Sequence, residues 1–133
     1  MSRTPSTYAL VTGGGTAGHV LPALAIAEAL VARGHDRDAI HYVGSTRGIE
    51  ARLVPPTGFP MTLLPGRGIQ RRLTPANLTA VAGLLVAFVR ALVLVVRSRP
   101  AVVVAVGGYA SVAVGLAAIL WRVPLIVAEQ NAA

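Results

Sequence analysis

Apolar residues in this chain fall into five short blocks separated by longer mixed stretches. The blocks read YALVT at 8–12, IHYV at 40–43, MTLL at 61–64, AVVVAV at 101–106 and LIVA at 125–128. A strand buried on both faces reads as such a continuous apolar run. The stretches between them carry helical spacing and helix punctuation. The pattern predicts helices over about 20–33, 48–54, 75–97 and from a second glycine loop to about Trp121. Pro22 suits the first turn of the first of these, and Gly34 is its C-terminal stop. Pro55-Pro56 ends the second, and Pro65 helps to end the third strand. Strands alternating with helices predict a parallel, doubly wound α/β sheet. Right-handed crossovers then bring every strand's C-terminal end to one edge.

The oily composition raises a competing reading. Apolar residues make up 54% of the chain and the mean hydropathy is +0.66. Two stretches lack charge, 73–89 and 100–121, and the second is long enough to span a bilayer. The Gly107-Gly108-Tyr109 break divides that stretch into a strand and a short helix. Thr74, Pro75, Asn77 and Thr79 interrupt the first, and Arg90 follows it. Both therefore read as parts of the sheet domain. The N-terminus enters a strand directly, without a signal-peptide pattern, and the expected location is cytoplasmic. Only the residues 129–133 follow the last strand, so the sequence reads like the first half of something larger.

Composition excludes several chemistries. There is no cysteine, hence no thiolate metal site and no thiol nucleophile. All twelve basic residues are Arg, which removes a Walker-A lysine, a Schiff-base lysine and a lysine base. The five carboxylates (Glu28, Asp36, Asp38, Glu50 and Glu129) are too few and too scattered for a carboxylate-rich metal site. Neither a metal nor a cofactor is expected. The net charge of +7 is compatible with nucleic acid, but aromatics are only 5% and no nucleic-acid motif is present.

The candidate chemistry sits in the loops after the strands. Gly13-Gly14-Gly15-Thr16-Ala17-Gly18 fits the G-x-G-x-x-G spacing between a strand and a helix, where backbone N–H groups can face an anion. The same loop also serves as a tight turn with no ligand. A dinucleotide enzyme would place Asp or Glu at the end of the second strand for the ribose. That strand ends in Val43-Gly44-Ser45, which favours another phosphate-bearing ligand over NAD. His19 follows the glycines in the first turn of the helix, at the ligand-binding edge, and is a candidate general base. Gly107, Gly108 and Ser111 form a second possible anion cradle after the fourth strand. Glu129-Gln130-Asn131 follow the fifth, either as solvated loop or as ligand contacts.

A third feature lies away from these loops. Arg67, Arg71 and Arg72 precede a helix with an apolar stripe, Leu78, Val81, Leu85, Phe88, Leu92 and Val95. Leu84, Val86, Val89, Val93 and Val96 make much of its remaining surface apolar as well. A helix packed on one face of a sheet needs only one stripe. The surplus fits either contact with an anionic membrane surface or burial against further protein.

Four segments in this order, VTGGGTAGHVLPALAIAEAL, VGSTRGIEARLVPPTGF, VVAVGGYASVAVGLAA and VPLIVAEQNA, resemble the MurG family of peptidoglycan N-acetylglucosaminyltransferases. The resemblance runs from Tyr8 onward and covers only that family's N-terminal domain. It implies a Rossmann-like domain, residues 1–133, forming the N-terminal half of a GT-B glycosyltransferase whose C-terminal donor-binding domain is not in this chain. The implied reaction moves N-acetylglucosamine from UDP-N-acetylglucosamine to undecaprenyl-pyrophosphoryl-N-acetylmuramoyl-pentapeptide (lipid I), giving lipid II with inversion, peripherally at the cytoplasmic face of the membrane. Carried onto matching positions, His19 is the candidate base and Glu129 a second catalytic candidate. Thr16, Ala17, Gly18 and Asn131 correspond to donor contacts. Gly13, Gly14, Gly15, Gly107, Gly108, Tyr109 and Gln130 correspond to the acceptor pyrophosphate site. Arg67, Arg71, Arg72, Leu78, Leu85 and Phe88 correspond to the membrane-docking region. The family commonly has His before the Glu-Gln-Asn run, whereas this chain has Ala128. Two other readings are a non-catalytic module binding lipid pyrophosphate or a membrane surface, and a different GT-B enzyme or nucleotide-binding oxidoreductase.

Overall fold

The computed structural model describes residues 7–65 and 75–128. Five parallel strands form one sheet: β1 (Ala9–Gly13), β2 (Ile40–Ser45), β3 (Met61–Leu64), β4 (Val102–Gly107) and β5 (Leu125–Val127). Their spatial order is β3-β2-β1-β4-β5, so the chain first builds outward from β1 in one direction and then in the other. The helices are α1 (Ala17–Ala32), α2 (Glu50–Leu53), α3 (Pro75–Ser98) and α4 (Tyr109–Leu120).

Strand periodicity divides the interior into two layers. Leu10, Val43, Leu64 and Val103 face α3 and α4 and pack with Ala87, Ala91, Val95, Ala113 and Val114. Ala9, Val11, Tyr42, Val104 and Val106 face the other way and pack with Val20, Ala23 and Ala27 of α1. Successive strand side chains point to opposite faces, and both faces here are covered by helices. The doubly wound parallel sheet expected from the sequence is therefore the observed fold.

The predicted elements are all present, with informative shifts. Helix α1 starts at Ala17 instead of residue 20, after an extended Thr16 (φ −129°). Pro22 consequently lies beyond the first turn, as the sixth residue of the helix, and brings no N–H to the intrahelical ladder. Gly34 ends the helix as expected. It adopts φ +107°, Gly34 N–H donates to Val31 O (3.0 Å) and His35 N–H to Leu30 O (3.1 Å), a Schellman closure. Strand β2 runs on to Ser45, beyond the expected end at Val43. The segment 48–54 forms only the short α2, followed by a 3-10 turn at Pro55–Thr57.

Helix α3 corrects one expectation. Its buried stripe is Ala87, Ala91 and Val95, with Leu92 and Leu94 partly covered. Alanines at that spacing permit close approach to α4. Leu78, Val81 and Leu85, expected to share the stripe of Val95, are exposed, Leu78 by 75%. By length and composition, Val81–Ser98 is the candidate membrane span among the described residues. The strands preceding and following α3 belong to the same sheet, so the helix runs back along that sheet's face. The uncharged stretch 100–121 is not a span but β4, the glycine loop and α4.

Beside these layers, His41 of β2 pairs with Thr62 of β3, Nε2 to Oγ1 at 2.7 Å, and burial holds its pKa below the ordinary 6.5. The unfolded chain therefore binds a proton at a pH where the folded one does not. Stability is full above the unfolded value and falls as pH drops through it toward the folded value. Denaturant midpoints measured from about pH 7 down to about pH 5 should decrease, and His41→Gln should make that decrease shallower. An unchanged slope in the variant would assign the acid sensitivity elsewhere.

Candidate functional site

The switch in strand order lies between β1 and β4, the place where ligands bind in open parallel sheets. The two glycine loops meet there, backbone to backbone. Gly14 N–H donates to Gly107 O at 3.1 Å. Gly107 and Gly108 take φ of +136° and +94°, and a Cβ at Gly108 would lie 2.3 Å from Gly14 O. Side chains at these positions would push the loops apart. Ser111, the third residue of α4, locks the junction: its Oγ lies 2.8 Å from Gly107 O and 3.0 Å from Thr12 O, and accepts Gly107 N–H at 3.1 Å. Ser111 thus braces the turn after β4 from within and takes up the Gly107 N–H that the expected second cradle would have offered to an anion.

His19 is brought to the same junction. Its half-buried ring lies against Gly107, where a Cβ would come within 2.6 Å of Cδ2. Nδ1 is 3.1 Å from Gly14 O. A carbonyl oxygen only accepts, so this bond requires the proton on Nδ1, and in the neutral ring the lone pair is then on Nε2. That is the tautomer a general base needs.

The first loop's N–H groups are divided between two uses. Those of Gly14 and Gly15 are engaged internally, by Gly107 O and by the Glu50 carboxylate. Those of Thr16 and Ala17 make no hydrogen bond among the described residues, and both residues are exposed at the start of α1. The first loop's open donors are therefore those of Thr16 and Ala17, at the positive end of the α1 dipole. Gly13 and Gly14 are buried, and Gly13 admits the close approach of α1, since a Cβ there would lie 2.9 Å from Ala23 Cβ.

Glu50 is the residue whose place beneath the site the sequence did not reveal. Its side chain is fully buried beneath the first loop. Oε2 accepts Ser45 N–H at 2.9 Å and Oε1 accepts Gly15 N–H at 3.2 Å. Three glycines make room for it: a Cβ at Gly14, Gly44 or Gly48 would fall 1.9, 2.3 or 1.6 Å from atoms of Glu50. Ion pairing among the described residues is confined to Arg37 and Glu28, so backbone dipoles meet the Glu50 charge. The available signal was the carboxylate following two glycines just after β2, an arrangement that leaves no bulk around it. Tyr42 lies close by, its hydroxyl donating to Gly13 O, and burial together with the Glu50 charge pushes its pKa up.

Tyr109 opens α4 but packs against the apolar layer shared by α3 and α4. Its hydroxyl is buried without a partner among the described residues, and burial raises its pKa. Leu78 and Leu85 lie on the exposed face of α3, while Phe88 is partly buried. Glu129, Gln130, Asn131, Arg67, Arg71 and Arg72 lie outside the described residues.

Comparison with known proteins places this geometry in a family. The chain is 43% identical over 123 residues to the UDP-N-acetylglucosamine--N-acetylmuramyl-(pentapeptide) pyrophosphoryl-undecaprenol N-acetylglucosamine transferase of Myxococcus xanthus. It is 46% identical over 123 residues to the like-named enzyme of Desulforudis audaxviator. Each match covers 92% of this chain, which spans about a third of the relatives' length, 32% and 33%. Among solved structures, MurG of Acinetobacter baumannii superposes with a TM-score of 0.79 at 29% identity, covering 95% of this chain and 36% of that one. The kitacinnamycin glycotransferase, at 19% identity and a TM-score of 0.62, shares the fold. The sequence profile of the glycosyltransferase family 28 N-terminal domain matches residues 9–133, and the chain belongs to that family.

Proposed function

We propose that this chain is the acceptor-binding N-terminal domain of an inverting, UDP-N-acetylglucosamine-dependent transferase that converts lipid I to lipid II in peptidoglycan synthesis. The observation that carries the reading is His19, its Nδ1 3.1 Å from Gly14 O, held at the meeting point of two glycine loops. In this reading Nε2 takes the proton from the attacking sugar hydroxyl as oxygen bonds to the anomeric carbon of the donor. The bond from that carbon to the UDP oxygen breaks on the opposite face, which gives inversion. A second domain holds most of the donor, and Thr16 and Ala17 offer their N–H groups to charge at the loop. The family resemblance assigns Glu129 a catalytic role, Gln130 a contact with the acceptor pyrophosphate and Asn131 a contact with the donor. The site needs neither metal nor cofactor in this reading, because backbone donors meet the pyrophosphate charge.

The exposed face of α3 supports the membrane part of the reading. Leu78, Leu85 and Val89 are 75%, 62% and 60% exposed, and no acidic residue occurs between Arg52 and Glu129. In this reading the domain docks this face on an anionic bilayer, and Arg67, Arg71 and Arg72, close before α3 in sequence, supply positive charge for the headgroups. The alternative of a binding module without catalysis differs by lacking turnover.

Two measurements test the proposal in the full-length protein. His19→Ala should lower kcat for sugar transfer by about 10²–10⁴-fold where chemistry limits the rate. An unchanged kcat would remove His19 from the role of base. Replacing Arg67, Arg71 and Arg72 together with Gln should weaken binding to anionic vesicles by about 10²-fold, at about 1 kcal/mol for each Arg, and leave binding to neutral vesicles nearly unchanged. High salt should act on the parent as the substitution does. Equal sedimentation of parent and variant with anionic vesicles would refute the docking face.

A further inference from the structure

Glu50 is a fully buried carboxylate to which the reaction assigns no step. Its position relative to His19 follows from one peptide unit. The N–H of Gly15 and the C=O of Gly14 are the two ends of the same amide, and a trans amide points them in opposite directions. No cis peptide occurs among the described residues. Oε1 of Glu50 accepts the Gly15 N–H from below the loop at 3.2 Å. The Gly14 carbonyl is thereby turned to the other side, where Nδ1 of His19 stands 3.1 Å away.

We propose that Glu50 is a positioning residue that selects the His19 tautomer through the Gly14–Gly15 peptide. The chain of contacts runs from carboxylate to amide N–H, across the peptide to its carbonyl, and on to the imidazole Nδ1–H. The negative charge at one end favours a polarised amide, and a polarised carbonyl is a better acceptor for Nδ1–H. The proton stays on Nδ1 and nothing is transferred along the chain. Neighbouring backbone leaves little room for another arrangement. Gly108 closes on the Gly14 carbonyl and Gly107 on the imidazole ring, each at a distance that admits no side chain. At its far end the carboxylate is anchored to β2 by Ser45 N–H at 2.9 Å, so the loop is referenced to the rigid sheet. The arrangement performs the task of a carboxylate that orients a catalytic histidine, with a peptide bond inserted between the two.

This inference rests on His19 acting as base, but its readout needs no turnover. The imidazole ¹⁵N chemical shifts of the full-length protein report the tautomer, with the His19 signals assigned by their loss in His19→Gln. The neutral parent ring is expected to be protonated at Nδ1. In Glu50→Gln the side-chain NH₂ replaces one acceptor oxygen and cannot receive both N–H groups, so protonation at Nε2 should gain population. Tyr42→Phe removes a different tether of the same loop, the bond to Gly13 O, without touching the Gly14–Gly15 peptide. It should leave the tautomer as in the parent. In transfer assays Glu50→Gln should lower kcat by about 10- to 100-fold, below the loss for His19→Ala, with the acceptor KM little changed.

A parent ring protonated at Nε2 overturns the proposal, whether or not Glu50→Gln folds. So does an equal tautomer change in Glu50→Gln and Tyr42→Phe, which would mark general loosening of the loop. A tautomer that depends on Glu50 beside an unchanged kcat in His19→Ala would support the coupling and sink the base role instead.

Discussion

The site depends on one backbone contact, the hydrogen bond from Gly14 N–H to Gly107 O where β1 and β4 part company. Two loops can approach to that distance only if neither carries a side chain at the junction. Gly108 lies directly over the Gly14 carbonyl, and Gly107 is where the His19 ring rests. Each of the neighbouring strands sends its following helix to a different face of the sheet, α1 to one and α4 to the other. The contact thus joins the starts of two helices that share no layer. Ser111 reinforces it by bridging Thr12 O and Gly107 from the α4 side.

The electrostatics of the junction are less simple than a ring of donors around an anion. A buried carboxylate sits directly below the first loop, and it consumes a donor that the glycine spacing alone would assign to a ligand. Burying that charge is costly unless it is fully hydrogen-bonded. Ser45 and Gly15 supply N–H donors, while Gly14, Gly44 and Gly48 supply the space. The loop is therefore held open toward solvent at Thr16 and Ala17 and held closed beneath. A loop fixed from below presents its remaining donors without first losing conformational freedom to a ligand, which is the physical content of preorganisation.

The surface carries a second division of labour. Helix α3 uses small residues, Ala87 and Ala91, to pack closely and keeps its larger ones, Leu78, Leu85 and Val89, exposed. That is the reverse of an ordinary amphipathic helix on a sheet. Contiguous exposed apolar faces of this kind mark contact surfaces. The glycine loops lie at the strand ends, so a surface bound by α3 and a ligand bound at the loops engage different parts of one rigid sheet.

Much of this was legible in the order of residues. Five apolar blocks and the punctuation between them determined the number, type and sequence of the elements, because parallel strands buried on both sides have no polar face to disguise them. The run Gly13 to Gly18 followed by His19 marked the loop and its candidate base, since that spacing serves a strand-to-helix turn. Three things required the tertiary structure. Which stripe of α3 is buried depended on its partner: α4 accepts alanines, and a helix apolar all round gives periodicity nothing to choose between. Tyr109 was drawn into the apolar layer by its neighbours in space, not by its neighbours in sequence. Glu50 read as one of five scattered carboxylates, and its role arose only when the β2 crossover brought it under Gly15, 35 residues earlier in the chain. Sequence spacing specifies local turns and periodic faces, whereas the partner of a buried charge is decided by which loops the sheet brings together.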